Sequence, residues 1–140
     1  MNSVQIEHIL TQHCSETFGG VFGSENYSLL RIPCFLVLNT DSSDQPGRHW
    51  VVLFINSFRC EFFDSLGHPP SFYHKHWEKL LQKYSTSFAY NKVCLQDEES
   101  NLCGEFCIFY TIMRNNGFSF SSILNMISSS KVNNLVKSLS

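Results

Sequence analysis

Residues 33–67 hold three apolar, β-rich runs set so close together that they have few ways to fold: PCFLVLNT (33–40), RHWVVLFINS (48–57) and FRCEFFDSLG (58–67). The first is almost continuously apolar and ends in DSSDQPG, a cluster of turn residues, which predicts a buried strand and then a surface loop. The second and third abut, so a hairpin turning at Asn56 and Ser57 is the simplest connection. Three adjacent strands then form the centre of a sheet, and the rest of the chain must cover it.

The covering segments read mostly as helices. SVQIEHILTQHC places apolar residues at 4, 6, 9 and 10 behind Ser3, a residue able to cap a short helix. SFYHKHWEKLLQKY (71–84) carries Phe72, Trp77, Leu80, Leu81 and Tyr84 at helical spacing, with Pro70 and Ser71 to start it. From Cys103 a stripe of Cys103, Phe106, Cys107, Tyr110 and Met113 runs to NNG, a good helix stop. SFSSILNMISSSKVNNLVKSL predicts one or two further helices, TFGGVFGSENY a glycine-rich loop, and FAYNKVCLQ (88–96) a last strand ending at Gln96. The fold class is α+β.

With 140 residues and 43% hydrophobic content the chain can bury one core but hardly two, so residues 1–140 read as a single domain. Charged residues at 16% and a net charge of -2 exclude a disordered polyelectrolyte and leave no basic footprint for nucleic acid. No run of apolar residues is long enough for a membrane span, and the N-terminus carries Glu7 and His8 where a signal peptide would be apolar. An intracellular protein is expected. Its six irregularly spaced cysteines then read as free thiols.

Cys103 opens a helix after the polar loop QDEESNL, where the helix dipole and unpaired N–H groups favour thiolate over thiol. Gly104 behind it leaves room for a substrate carbonyl, whereas Cys107, one turn on, should act as a small apolar residue. A cysteine nucleophile needs a base and an acceptor to orient that base. His49 enters the second strand and Asp64 leaves the third. In a hairpin turning at 56 and 57 these two lie opposite each other at the same sheet end. Gln96, seven residues before Cys103, has a side-chain amide suited to an oxyanion hole. A zinc site built from Cys103, Cys107, His74 and His76 is the main alternative, but it lacks a second tight ligand pair.

The motifs GRHWVVLFI and FFDSLG, with a Gln seven residues before CGEFC, resemble the adenovirus-type (adenain-like) cysteine proteases and, more distantly, the Ulp1-like SUMO proteases. The resemblance covers roughly residues 18–116. It implies a papain-like α+β fold with a small mixed or antiparallel sheet packed by helices. It also implies His49 as general base, Asp64 as its orienting acid, Gln96 as oxyanion donor and Cys103 as nucleophile. Gly104, Trp50 and Asn101 are the implied substrate contacts, with groove walls from FGGVFGSENY and QDEESN. Asp64 stands where many adenovirus proteases have Glu.

The implied activity is endopeptidase cleavage after small, Gly-containing motifs, with viral precursor proteins as substrates. Removal of ubiquitin-like conjugates, or a protease fold that only binds, are the alternatives. No metal or cofactor is expected. The expected protein is a monomer acting in the host nucleus or cytoplasm or in the virion, away from membranes. An activating peptide or DNA finds no support in the residues, because neither a tethering cysteine nor a basic surface is evident.

Overall fold

The computed structural model describes residues 1–29, 31–44, 47–96, 101–128 and 136. Its elements are α1 (Ser3–His13), β1 (Phe18–Phe22), β2 (Cys34–Asn39), β3 (Trp50–Ile55), β4 (Cys60–Phe63), α2 (Pro70–Tyr73), α3 (Lys75–Tyr84), β5 (Phe88–Tyr90), α4 (Cys103–Asn115) and α5 (Phe120–Ile127). The strands form one mixed sheet in the order β1-β2-β3-β4-β5. Its inner pairs, β2 with β3 and β3 with β4, are antiparallel, and both outer pairs are parallel.

The central strands are apolar throughout because both sheet faces are covered. Phe35, Val37, Val52, Phe54 and Phe63 pack against α1, α4 and α5 on one face. Leu36, Leu38, Val51, Leu53 and Phe62 pack under Trp77 and Leu81 of α3 on the other. Each large side chain so buried contributes roughly 1.5–3 kcal/mol relative to exposure.

Five expectations are corrected. First, TFGGVFGSENY is not all loop, since β1 runs along β2 with a register irregularity between Phe18 and Gly20. A Cβ on Gly19 would collide with Cys34 Sγ, so a glycine is what lets this edge strand approach its neighbour. Second, the β3–β4 hairpin pairs Val52 with Phe63, Leu53 with Phe62 and Phe54 with Glu61. Its loop therefore occupies 56–59 rather than turning at 56 and 57. Asn56 Oδ1 closes that loop by accepting the N–H groups of Phe58 and Arg59 at 2.9 and 2.8 Å.

Third, the single helix over 71–84 is two. His74 is extended (φ -147°, ψ 127°), and its Nε2 meets the Thr40 carbonyl at 2.8 Å, which breaks the chain between α2 and α3. Fourth, the strand over 88–96 stops at Tyr90. At the N-terminus, Asn2 rather than Ser3 caps α1, exchanging bonds with Gln5. The second of the possible C-terminal helices, and the loop residues 97–100, fall outside the described residues.

Candidate active site

His49 stands just before β3 and Asp64 just after β4, at the same end of the sheet. The observed register makes them diagonal neighbours rather than directly opposite, a displacement of two residues from the expected pairing. An even displacement keeps a side chain on its face, whereas an odd one would have turned it away. The two side chains accordingly meet, with His49 Nε2 2.5 Å from Asp64 Oδ1.

Asp64 is fully buried and its carboxylate is ringed by donors. Oδ1 also accepts the Leu66 N–H at 3.0 Å, while Oδ2 accepts the His68 N–H at 3.1 Å and the Tyr73 hydroxyl at 2.6 Å. Burial alone would raise its pKa. The bonds from His49 and Tyr73 outweigh that and hold it below the ordinary 3.8. Asn91 fixes the backbone of the same residue, accepting the Asp64 N–H at 3.1 Å and donating to the Asp64 carbonyl at 2.5 Å.

The nucleophile candidate meets the other side of the imidazole. Cys103 is the first residue of α4 and partly exposed, and its thiol is hydrogen-bonded to His49. Since Nε2 is engaged by Asp64, Nδ1 is the nitrogen left for sulfur. Burial favours the neutral thiol, but the bond to His49, the N–H groups of Trp50 and Gly104, and the imidazolium charge bring the Cys103 pKa below 9.0. Burial likewise disfavours a charged His49. Its bonds to Asp64 and Cys103 prevail, raising it from 6.5 to about 9. The arrangement favours a thiolate facing an imidazolium, with one ring nitrogen turned to Asp64 and the other to Cys103.

Gln96 is buried and lies outside any strand. Two backbone bonds, Leu95 N–H and Gln96 N–H to the Ser65 carbonyl at 2.7 and 3.2 Å, seat it on the turn that follows Asp64. The Ser65 hydroxyl donates to Gln96 Oε1, which fixes the direction of the amide. Trp50 is half-buried against the core and donates through Nε1 to the Met1 carbonyl at 3.2 Å. Asn101 is exposed two residues ahead of Cys103. A Cβ on Gly104 would meet Met1, Ile6 and Trp50 at 3.2–3.5 Å, so its missing side chain also lets the N-terminal segment and Trp50 pack close to α4. Cys107 is wholly buried, and burial pushes its thiol well above 9.0.

Two cavities flank this corner of the sheet. One, of about 430 Å3, is lined by Val21, Phe22, Gly23, Asn39 and Trp50. The other, of about 390 Å3, is lined by His49, Leu66, His68, Phe72 and Tyr73. Among the described residues no group of three His, Cys, Asp or Glu side chains could hold a metal ion. Residue reasoning missed Ser65, Tyr73 and Asn91. Each is an ordinary polar residue in or near a turn, without a periodic or spacing signal, and its role depends on contacts made across the fold.

No protein-family model matches the chain. A stretch of 100 residues, 64% of the chain, is 29% identical to cysteine protease S273R of African swine fever virus and spans 36% of that protein. The crystal structure of ASFV pS273R protease superposes with a TM-score of 0.53 at 19% identity, covering 93% of this chain and 62% of that one. This is the fold of a viral cysteine protease. The resemblance to adenain-type and Ulp1-like enzymes therefore holds at the level of the superfamily, and the papain-like α+β class with it. The matched stretch spans about a third of that viral protein, and the superposed residues cover less than two thirds of the solved one.

Proposed function

We propose that the chain is a cysteine endopeptidase that matures viral precursor proteins by cutting after small, Gly-containing motifs. The observation that carries this reading is the continuous contact of Asp64, His49 and Cys103, with the partly exposed cysteine at a helix start. Similarity to a named viral cysteine protease supports it.

In the proposed reaction the Cys103 thiolate attacks the peptide carbonyl carbon, and the carbonyl electron pair moves onto oxygen. That oxyanion is held by the Cys103 N–H and the side-chain amide of Gln96. As the tetrahedral species collapses, the C–N bond breaks and His49 Nδ1 gives its proton to the departing amine. Neutral His49 next takes a proton from water, hydroxide attacks the thioester, and Cys103 leaves again as thiolate. Asp64 keeps its charge throughout and holds the imidazole in place.

The test is to incubate wild type and Cys103→Ala with a fluorogenic peptide of Leu-x-Gly-Gly type and with a ubiquitin-like conjugate. Cleavage of the peptide that vanishes in Cys103→Ala is the expected result. Cleavage of the conjugate alone would make the enzyme a deconjugating one. Cleavage that survives in Cys103→Ala would end the proposal.

A further inference from the structure

Successive residues on a strand face opposite ways, and here that separates the two cavities. Trp50 lines one on the α1 and α4 side, and His49 lines the other, beneath α2. We propose that the His49 cavity is the leaving-side subsite, which receives the side chain just after the scissile bond and selects an aromatic one. The inference rests on the protease reading and adds a substrate preference to it.

Acyl transfer itself supplies the first argument. The acyl half of the substrate stays on Cys103, whereas the departing amine must come within hydrogen-bond reach of the imidazolium that protonates it. The residue bearing that amine therefore lies against His49, and its side chain points toward whatever His49 lines. That space is bounded by Leu66, His68, Phe72 and Tyr73.

The walls supply the second. Phe72 is 61% exposed, unlike the core aromatics. Its ring nevertheless has fixed neighbours, stacking on His68 with centroids 3.9 Å apart and meeting Tyr73 edge-on at 5.0 Å. It sits on the short α2, which starts at Pro70 and is tied down at its far end by the His74 bond to Thr40. An aromatic ring held open to solvent contributes little to folding, but it offers a preformed surface for another ring. At the rim, Arg48 and Asp41 lie 3.8 Å apart, so neither presents a lone charge there.

Two peptides with identical acyl halves ending in Gly-Gly, followed by Phe or Ala, test the proposal. Wild type should cleave the Phe peptide with kcat/KM on the order of tenfold above the Ala peptide, the scale of discrimination an apolar pocket supplies. Phe72→Ala should abolish the preference, bringing the ratio of the Phe to the Ala peptide to about one. Phe58→Ala, at a 94% exposed position on the far hairpin loop, should change neither.

The Cys103→Ala protein gives a reading that needs no turnover. Fluorescence anisotropy with the uncleaved peptides should show the same tenfold preference in Kd, lost in the Cys103→Ala, Phe72→Ala double variant. Equal rates and equal affinities for the two peptides, or a preference that survives Phe72→Ala, would overturn the subsite. Tighter binding of the Phe peptide without any turnover would uphold the aromatic site and overturn the protease reading.

Discussion

His49 Nε2 lies 2.5 Å from Asp64 Oδ1, so the imidazole presents its other nitrogen to Cys103 and is held between the two side chains. The protonated ring is held to about pH 9, while the thiol ionises below its usual 9.0. The active pair needs both charges. On the acid side kcat/KM should rise as Cys103 ionises, and on the alkaline side it should fall near pH 9 as His49 deprotonates. The two groups titrate as one coupled system, so both limbs belong to the pair. A pH–rate profile checks this, and an alkaline limb near 6.5, the value of a free imidazole, would contradict the double hydrogen bond.

Asp64→Asn should hurt more than the loss of one charge suggests. Every group around the carboxylate is a donor: His49 Nε2, the N–H groups of Leu66 and His68, and the Tyr73 hydroxyl. An amide can offer an acceptor on one side alone, and its NH2 would face donors on the other. We expect kcat to drop on the order of ten-thousandfold, as when a triad acid is neutralised. Unfolding free energy should fall by about 1–3 kcal/mol from the unsatisfied groups. Steady-state kinetics and thermal unfolding measure the two effects separately.

Tyr73→Phe removes a single hydroxyl and keeps the ring that packs beside His49 at 5.9 Å. The 2.6 Å bond to Asp64 Oδ2 is charge-assisted, of a type worth about 1.5–3 kcal/mol. Without it the carboxylate is less firmly held. We expect kcat to fall roughly tenfold with KM nearly unchanged, because the hydroxyl acts through Asp64 and His49 rather than on substrate.

How far the residues alone revealed this arrangement differs between the sheet and its margins. The central strands are continuous apolar runs because they are covered on both faces, and that pattern is local. The meeting of His49 with Asp64 was readable despite the wrong loop length, since Asn56 lengthened the turn without changing which face the two residues share. The edge strand β1 was hidden by its glycines, whose reason lies in Cys34, a residue from another strand. The break at His74 was hidden by helical spacing on both sides of it. Gln96 was expected at a strand end, yet Ser65, 31 positions away, is what holds it. Contacts of that separation leave no mark in a periodicity.

Thiol labelling should separate exposure from ionisation. Cys94 is the exposed cysteine and Cys103 is partly covered, so access alone would favour Cys94. Thiolate rather than thiol is the nucleophile, and the Cys103 environment favours thiolate. At mildly acidic pH iodoacetamide should modify Cys103 first. Cys14, Cys34, Cys60 and Cys107 are buried, and burial pushes their pKa values up, so they should remain unmodified in folded protein. Peptide mapping after brief exposure gives the order, and earlier modification of Cys94 would remove the case for an activated thiol.

Arg114 should matter for stability and not for chemistry. It reaches from α4 to Glu61 of β4, with Nε and Nη2 both 3.1 Å from carboxylate oxygens, and the Tyr110 hydroxyl donates to Glu61 Oε1 at 2.6 Å. Glu61 is 5% exposed, so these partners stand in for water around its carboxylate. The guanidinium also lies over the Phe54 ring at 5.2 Å, closing the sheet against α4. Arg114→Leu leaves a buried carboxylate with one neutral donor, and breaking such a pair costs about 3–5 kcal/mol. The partial exposure of Arg114 argues for the lower end of that range. Replacing both residues, Arg114→Leu with Glu61→Leu, should recover much of the loss, because no charge then remains buried. Chemical denaturation of the single and double variants decides it, and Cys103 labelling in the folded state should be unchanged in both.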